Sequence, residues 1–206
     1  MTDNSANNKR IAINTILLYI RMLFTMVISL YTSRVILQVL GADDFGIYNV
    51  VGGVVVLFSF LTNAMTSSTQ RFLNYNLGLK NESKVLHIFN VSILTHFTIF
   101  LLVLLLSETV GLWFVMTQLN IPVGRETATM WVYQMSVVTT LIGIMVIPYR
   151  ASIIAAERMS IFAYVSILEV ALKLVVVLVL SYMSFDNLVM YSILLTLVAM
   201  LNFFIY

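Results

Sequence analysis

Long apolar stretches recur along the whole 206-residue chain, and they constrain its fold more than any other feature. Six of them approach the roughly 20 mainly apolar residues that a helix needs to cross a membrane. They cover residues 11–40, 46–69, 88–107, 129–147, 162–183 and 188–206. The run of leucine and valine at 101–106 does not alternate with polar residues as the strands of a membrane barrel do. The sequence therefore predicts an all-α integral membrane protein with six transmembrane helices.

The composition excludes several classes of protein. Apolar residues make up 61% of the chain and charged residues 10%, against roughly 45–50% and 25% in soluble domains. The net charge of +2 is too small to suggest a nucleic-acid partner. Cysteine is absent and the two histidines fall short of a zinc cluster. We therefore expect a membrane protein without metal or other cofactor.

The charges between the apolar stretches predict an orientation. If the polar segment 1–10 is cytoplasmic, seven of the eleven basic residues lie on that side: Lys9, Arg10, Arg71, Lys80, Lys84, Arg150 and Arg158. The opposite side holds Arg125 together with five acids: Asp43, Asp44, Glu108, Glu126 and Asp186. This bias predicts a cytoplasmic N-terminal segment 1–10 and a transmembrane lobe 11–206. Since the last stretch ends in apolar residues with no basic stop, we expect the chain to be truncated.

Four charged residues lie inside the predicted spans: Arg21, Arg34, Glu169 and Lys173. Each is costly there, by about 2.5–3.5 kcal/mol at a helix centre, unless it reaches water or a partner. Glu169 and Lys173 stand at i and i+4 with the acid first, the favourable order for an ion pair. The pair either joins helices or lines a cavity. Arg21 shares a polar stripe with Thr25 and is expected to face a cavity, whereas Arg34 can snorkel to the interface.

The second predicted span carries a seven-residue repeat: Asn49, Val56, Asn63 and Gln70. Small residues and amides at such spacing favour close helix packing, which we expect for Gly52 and Gly53. Asn63, Gln70 and Arg71 could instead form the inner lip of a polar cavity. His96 has no acidic neighbour and is expected to be a packing residue.

The motifs that many membrane enzymes and ATP-driven pumps need are missing. The chain has no Gly-rich phosphate loop, no nucleophile elbow, no His-Glu-x-x-His and no paired intramembrane carboxylates. We therefore expect no enzymatic activity, and a transport or structural role remains.

Several segments resemble bacterial polysaccharide or O-antigen flippases of the multidrug/oligosaccharidyl-lipid/polysaccharide exporter superfamily. The junction at 30–53 contains Leu-Gly-x-x-x-Phe-Gly-x-Tyr, and further similarity lies in Gln70-Arg71-Phe72, in 131–134 and in 148–159. The resemblance implies two six-helix lobes around a cavity that opens alternately to the two sides of a bacterial inner membrane. This chain would be the first lobe, with a second lobe or another copy as partner. The resemblance also implies a cationic cavity that accepts an undecaprenyl-pyrophosphate-linked glycan. The residue it most implies for that cavity is Arg21, followed by Arg34 and then Lys173.

The leading hypothesis is export of lipid-linked oligosaccharide by alternating access. The candidate substrate-binding residues are Arg21, Arg34, Asn63, Gln70, Arg71, Glu169 and Lys173. A diphosphate is anionic and suits intramembrane Arg or Lys, while neutral Asn, Gln, Thr and Tyr suit sugar hydroxyls. A drug or cation antiporter of the same superfamily is an alternative, but it requires an unpaired intramembrane acid. A non-transporting membrane scaffold or partial chain is the third possibility.

Overall fold

The computed structural model describes residues 2–57 and 60–206, with side chains described at residue 9 and over 12–57 and 65–206. The described residues form helices and turns without a strand, as the sequence predicts. The helices are α1 (Thr2–Val56), α2 (Phe60–Gly78), α3 (Glu82–Leu106), α4 (Leu112–Gln118), α5 (Glu126–Ala155), α6 (Met159–Leu180) and α7 (Asn187–Ile205). A π-helical turn, Ser107–Gly111, joins α3 to α4.

Five helical stretches of the described chain are long and apolar enough to cross a membrane: Ala12–Val56, Glu82–Gln118, Glu126–Ala155, Met159–Leu180 and Asn187–Ile205. The second predicted span, 46–69, is not among them. Its residues are divided between the end of α1 and the start of α2, and residues 58–59 lie outside the described part. The described chain is thus all-helical, with several helices long and apolar enough for a multi-pass membrane protein.

Helix α1 is interrupted at Gly41. This residue has φ 78° and ψ 173°, outside the helical region, in a conformation that glycine adopts far more easily than other residues. The interruption separates residues 2–40 from 42–56. It falls between the first two stretches that hydropathy predicts, at 11–40 and 46–69, so a conformational break marks that boundary.

Two helices extend beyond their predicted ends. Hydropathy predicts a span at 88–107, but α3 begins at Glu82, where the Asn81 side chain accepts a hydrogen bond from the Lys84 backbone N–H at 3.1 Å. The prediction at 129–147 stops before Pro148, yet α5 continues to Ala155 with Pro148 inside it. Proline removes one backbone donor without ending this helix. Arg150, predicted in a loop, therefore lies on a helix.

Helix α5 is the centre of the bundle, because it contacts α1, α2, α3, α6 and α7. The main core combines aliphatic residues from several helices, including Val51, Val55, Val103, Val132 and Val137. By contrast, the first half of α1 exposes large apolar side chains such as Ile16, Tyr19, Leu23 and Val27. Such a surface suits lipid or a further helical layer.

One end of the bundle is held by Arg125. Its Nε donates to Asp44 Oδ1 at 2.9 Å and its Nη1 to Asp186 Oδ2 at 2.5 Å, and Nη2 also pairs with Asp44. Three turns predicted to share one side of the membrane therefore meet here, and we call this the acidic end. We call the opposite end of the bundle the basic end. There, Leu73 of α2 packs with Ala151 and Ala155 of α5.

Candidate functional site: a polar cavity among four helices

A cavity of about 380 Å³ lies among α1, α5, α6 and α7. Its charged and amide side chains are Arg150, Glu169, Lys173 and Asn202. Its hydroxyl groups come from Ser29, Thr32, Ser33, Tyr48, Thr139 and Tyr191. These charged, amide and hydroxyl side chains lie among long apolar helices, where they could bind a hydrophilic group of a ligand.

Glu169 is the centre of a small hydrogen-bond network. Lys173 Nζ donates to Glu169 Oε1 at 2.7 Å, so the predicted i,i+4 ion pair is present. Asn202 Nδ2, on the neighbouring helix α7, donates to Glu169 Oε2 at 3.0 Å. Both carboxylate oxygens are thus engaged. The Asn202 Oδ1 atom is buried without a hydrogen-bond partner, so an acceptor remains unused there.

Arg150 lines the same cavity from α5. Its Cζ lies 5.5 Å from the centroid of the Tyr206 ring, within the range of a cation–π contact. Its Nε is buried without a hydrogen-bond partner. Among the described residues, no carboxylate lies within ion-pair distance of Arg150. Within the described part of the chain, Arg150 therefore forms no direct ion pair, although Glu169 lines the same cavity.

Arg21 lies beside the cavity, on the first half of α1. Its Nη1 donates to Ser166 Oγ at 3.4 Å, and its Cζ lies 4.5 Å from the Phe162 ring centroid. Ser166 is one helical turn from Glu169 on α6. The Nε of Arg21 is buried without a partner.

The remaining part of the cavity is neutral. Tyr48 and Tyr191 meet edge to face with ring centroids 4.9 Å apart. Thr139 Oγ1 lies 2.9 Å from Thr196 Oγ1, linking α5 to α7. A smaller recess of about 130 Å³ adjoins this part and shares Tyr48 and Thr139 with it. The cavity thus combines a charged part with a hydroxyl-lined part.

The predicted site residues do not all meet. Glu169 and Lys173 pair and line the cavity, and Arg21 lies beside it in contact with Ser166. Arg34 is exposed and does not line the cavity. Gln70 lines a separate recess of about 690 Å³ near Arg158, and Arg71 is exposed. The side chain of Asn63 lies outside the described residues.

Arg150 is the site residue that the sequence prediction missed, because the span was ended at Pro148. A signal for it does exist in the sequence. Thr139, Gly143, Val146 and Arg150 follow one another at helical spacings of four, three and four, and all four line the cavity.

Gly52 and Gly53 do not show the expected close packing against the described residues. A Cβ atom at either position would meet no described atom within 4 Å. Gly111 is the position where absence of a side chain matters. A Cβ there would overlap the hydroxyl of Tyr133, which donates to the Ser107 carbonyl oxygen at 2.5 Å.

His96 is fully buried, with Nδ1 at 2.8 Å from the Ser92 carbonyl oxygen. Ser92 Oγ in turn lies 3.1 Å from Thr69 Oγ1. The Thr69–Ser92 contact joins α2 to α3, and the buried His96 bonds to Ser92 within α3, as a packing residue would. Within the described part of the chain, no group of three or more His, Asp or Glu could hold a metal ion.

Comparison with known proteins does not assign a family. No family model, no curated protein and no solved structure matches this chain. The case for a function therefore comes from the cavity and its charges.

Proposed function

We propose that this chain is a six-span lobe of a bacterial inner-membrane transporter that moves lipid-linked oligosaccharide between the two leaflets. The observation that carries the proposal is the excess of positive charge at the polar cavity. Arg150 and Lys173 line the cavity and Arg21 lies beside it, so three cations stand against one acid, Glu169, among the described residues of this region. A diphosphate linking a glycan to its lipid would supply the missing negative charge.

The physical chemistry of the two arginines supports an anionic ligand. A charge away from water is costly unless an opposite charge or hydrogen bonds offset it. Each of Arg21 and Arg150 has a buried Nε without a partner. Guanidinium groups bind phosphate oxygens through paired, charge-assisted hydrogen bonds, which strengthen away from bulk water. A diphosphate at the cavity would supply an opposite charge close to these two guanidinium groups.

The neutral part of the cavity supports a glycan attached to that anion. Hydroxyl groups both donate and accept hydrogen bonds, so Ser33, Thr32 and Tyr191 match the hydroxyls of a sugar. The lipid tail would stay in the bilayer, beside the exposed apolar face of α1. One amphiphile could thus use the charged part, the neutral part and the membrane together.

Two further elements of the proposal concern architecture and orientation. The break at Gly41 allows α1 to supply one span and part of the next, as a six-span lobe needs. The excess of lysine and arginine at the basic end favours a cytoplasmic location for that end and for the N-terminus. A second lobe or a second copy would complete the wall of the cavity.

Binding of undecaprenyl-diphosphate-linked sugar to the full chain in detergent micelles tests the proposal. We expect Arg21→Ala and Arg150→Ala each to weaken binding by about tenfold, the loss of a hydrogen bond to a charged group. Arg34→Ala is the matched control, because Arg34 is exposed and outside the cavity lining. Equal losses for Arg34→Ala and Arg150→Ala would refute the role assigned to the cavity.

The cation-antiporter alternative is disfavoured by the contacts of Glu169. That acid already accepts hydrogen bonds from Lys173 and Asn202, so it is not the unpaired carboxylate that a cation site needs. Proton-coupled uptake of organic cations into vesicles containing the chain would reverse this ranking. Failure to bind either class of ligand would favour the scaffold hypothesis.

A further inference from the structure

A second cavity opens at the basic end of the bundle, between the end of α2 and the start of α3. It is a groove of about 650 Å³ and shares no lining residue with the polar cavity. Its apolar walls are Leu73, Leu77, Val85, Leu86 and Phe89. The groove lies where the apolar helix α3 begins after a charged turn, an arrangement typical of a membrane–water interface.

Two opposite charges line the same groove. Lys80 and Glu82 are both exposed, and neither forms an ion pair among the described residues. They stand on either side of Asn81, so the groove carries one cation and one anion, both available to a ligand.

The turn that carries these charges is well fixed. Lys80 adopts a left-handed backbone conformation with φ 53° and donates its N–H to the Leu77 carbonyl oxygen at 3.0 Å. The Asn81 N–H donates to the Asn76 carbonyl oxygen at 3.1 Å. A left-handed conformation is uncommon for a residue other than glycine, and here it is held by the surrounding hydrogen bonds. The backbone therefore presents the two charged side chains from defined positions.

We propose that this groove binds a membrane phospholipid whose headgroup carries both a phosphate and a primary ammonium, as in phosphatidylethanolamine. An acyl chain would lie against Leu77, Leu86 and Phe89. The lipid phosphate would pair with Lys80 and the ammonium with Glu82. This charge complementarity identifies the occupant more narrowly than an apolar groove alone.

The same complementarity predicts a preference among headgroups. The quaternary ammonium of a phosphatidylcholine has no N–H to donate to Glu82. Phosphatidylglycerol has no cation, and its negative charge would be repelled by Glu82. The site requires only a membrane-spanning fold, so it does not depend on the proposed transport of glycans.

Native mass spectrometry of the full chain, exposed to equal amounts of the three phospholipids, tests this assignment. We expect phosphatidylethanolamine to be retained roughly threefold more than either competitor, as an exposed ion pair would give. Lys80→Ala should remove that preference by lowering phosphatidylethanolamine retention. Glu82→Gln should lower phosphatidylethanolamine retention and raise that of phosphatidylglycerol.

Lys84→Ala is the matched control, because Lys84 is an exposed lysine of the same helix end that does not line the groove. It should leave the retention pattern unchanged. Leu77→Trp, which fills the groove, should reduce retention of all three lipids. Circular dichroism would establish that each variant is folded. A wild-type chain without headgroup preference, or a Lys84→Ala effect equal to that of Lys80→Ala, would overturn the assignment.

Discussion

Asn202 of α7 donates a hydrogen bond from Nδ2 to Oε2 of Glu169 on α6, at 3.0 Å. This bond joins two helices within the apolar part of the chain, where few other partners are available to a carboxylate. Together with the Lys173 ammonium it occupies both oxygens of Glu169. The charged part of the cavity is thus built by contacts within a helix and between helices.

Replacing Asn202 tests the structural value of that bond. We expect Asn202→Ala to reduce the free energy of unfolding by about 1 kcal/mol, typical of a hydrogen bond between transmembrane helices. Unfolding of the purified chain in mixed micelles would measure it. Ser181→Ala is the control, since Ser181 is exposed and its hydroxyl donates to the nearby carbonyl of Leu178 at the end of α6. Equal effects of the two variants would contradict the inference.

Arg125 should stabilise the acidic end by linking Asp44 to Asp186. We expect Arg125→Gln to lower the free energy of unfolding by about 1 kcal/mol, as a partly exposed ion-pair network would. Arg125→Lys should restore only part of this, because an ammonium cannot form the two-pronged contact with Asp44. The effect should shrink at high salt. An unchanged stability of Arg125→Gln at low salt would refute the link.

The same residue yields a prediction about pH. The hydrogen bonds from Arg125 to Asp44 raise the pKa of its guanidinium above the ordinary value, although partial burial opposes them. When folding raises the pKa of a base, the protonated base stabilises the folded state. This contribution is complete at pH values below the pKa of the unfolded state, and it is lost as the pH rises through the pKa of the folded state. The contribution of Arg125 to stability should therefore stay constant between roughly pH 7 and 10, because arginine remains protonated over this whole range. The difference in unfolding free energy between wild type and Arg125→Gln, measured across that range, should be constant; a decline with rising pH would contradict it.

Gly111 and Tyr133 should be energetically coupled. Gly111→Ala places a methyl group against the Tyr133 hydroxyl, and such overpacking is expected to cost about 1–3 kcal/mol. In Tyr133→Phe the overlapping oxygen is gone, so the double variant should be less destabilised than the sum of the single variants. Gly53→Ala, which meets no described atom, should have no such penalty. Additive effects of Gly111→Ala and Tyr133→Phe would show that the close approach is unimportant.

The sequence was sufficient for features that depend on local spacing and hydropathy. The helical class follows from the apolar stretches, and the Glu169–Lys173 pair follows from an i,i+4 spacing on one helix. The cluster of Asp44, Arg125 and Asp186 agrees with the prediction that their turns share one side.

Other features depend on how distant helices pack, and the sequence could not supply them. The contact of Arg21 with Ser166 joins residues far apart in the chain. The sequence predicts a loop at Arg150 because proline usually ends a helix, whereas α5 continues through the buried Pro148 to Ala155. The same is true of glycine packing. The sequence predicts close packing at Gly52 and Gly53, but the described structure requires a glycine at Gly111, because Tyr133 of another helix lies against it.

The most direct test of the cavity is the dependence of binding on ligand charge. The full chain would be titrated with undecaprenyl diphosphate, undecaprenyl monophosphate and undecaprenol, in wild-type and Arg150→Ala forms. If the guanidinium groups of Arg21 and Arg150 bind the ligand, affinity should fall in that order for the wild type. The step between diphosphate and monophosphate should shrink in Arg150→Ala. Equal affinity for all three ligands, or an unchanged series in Arg150→Ala, would contradict an anion-binding cavity.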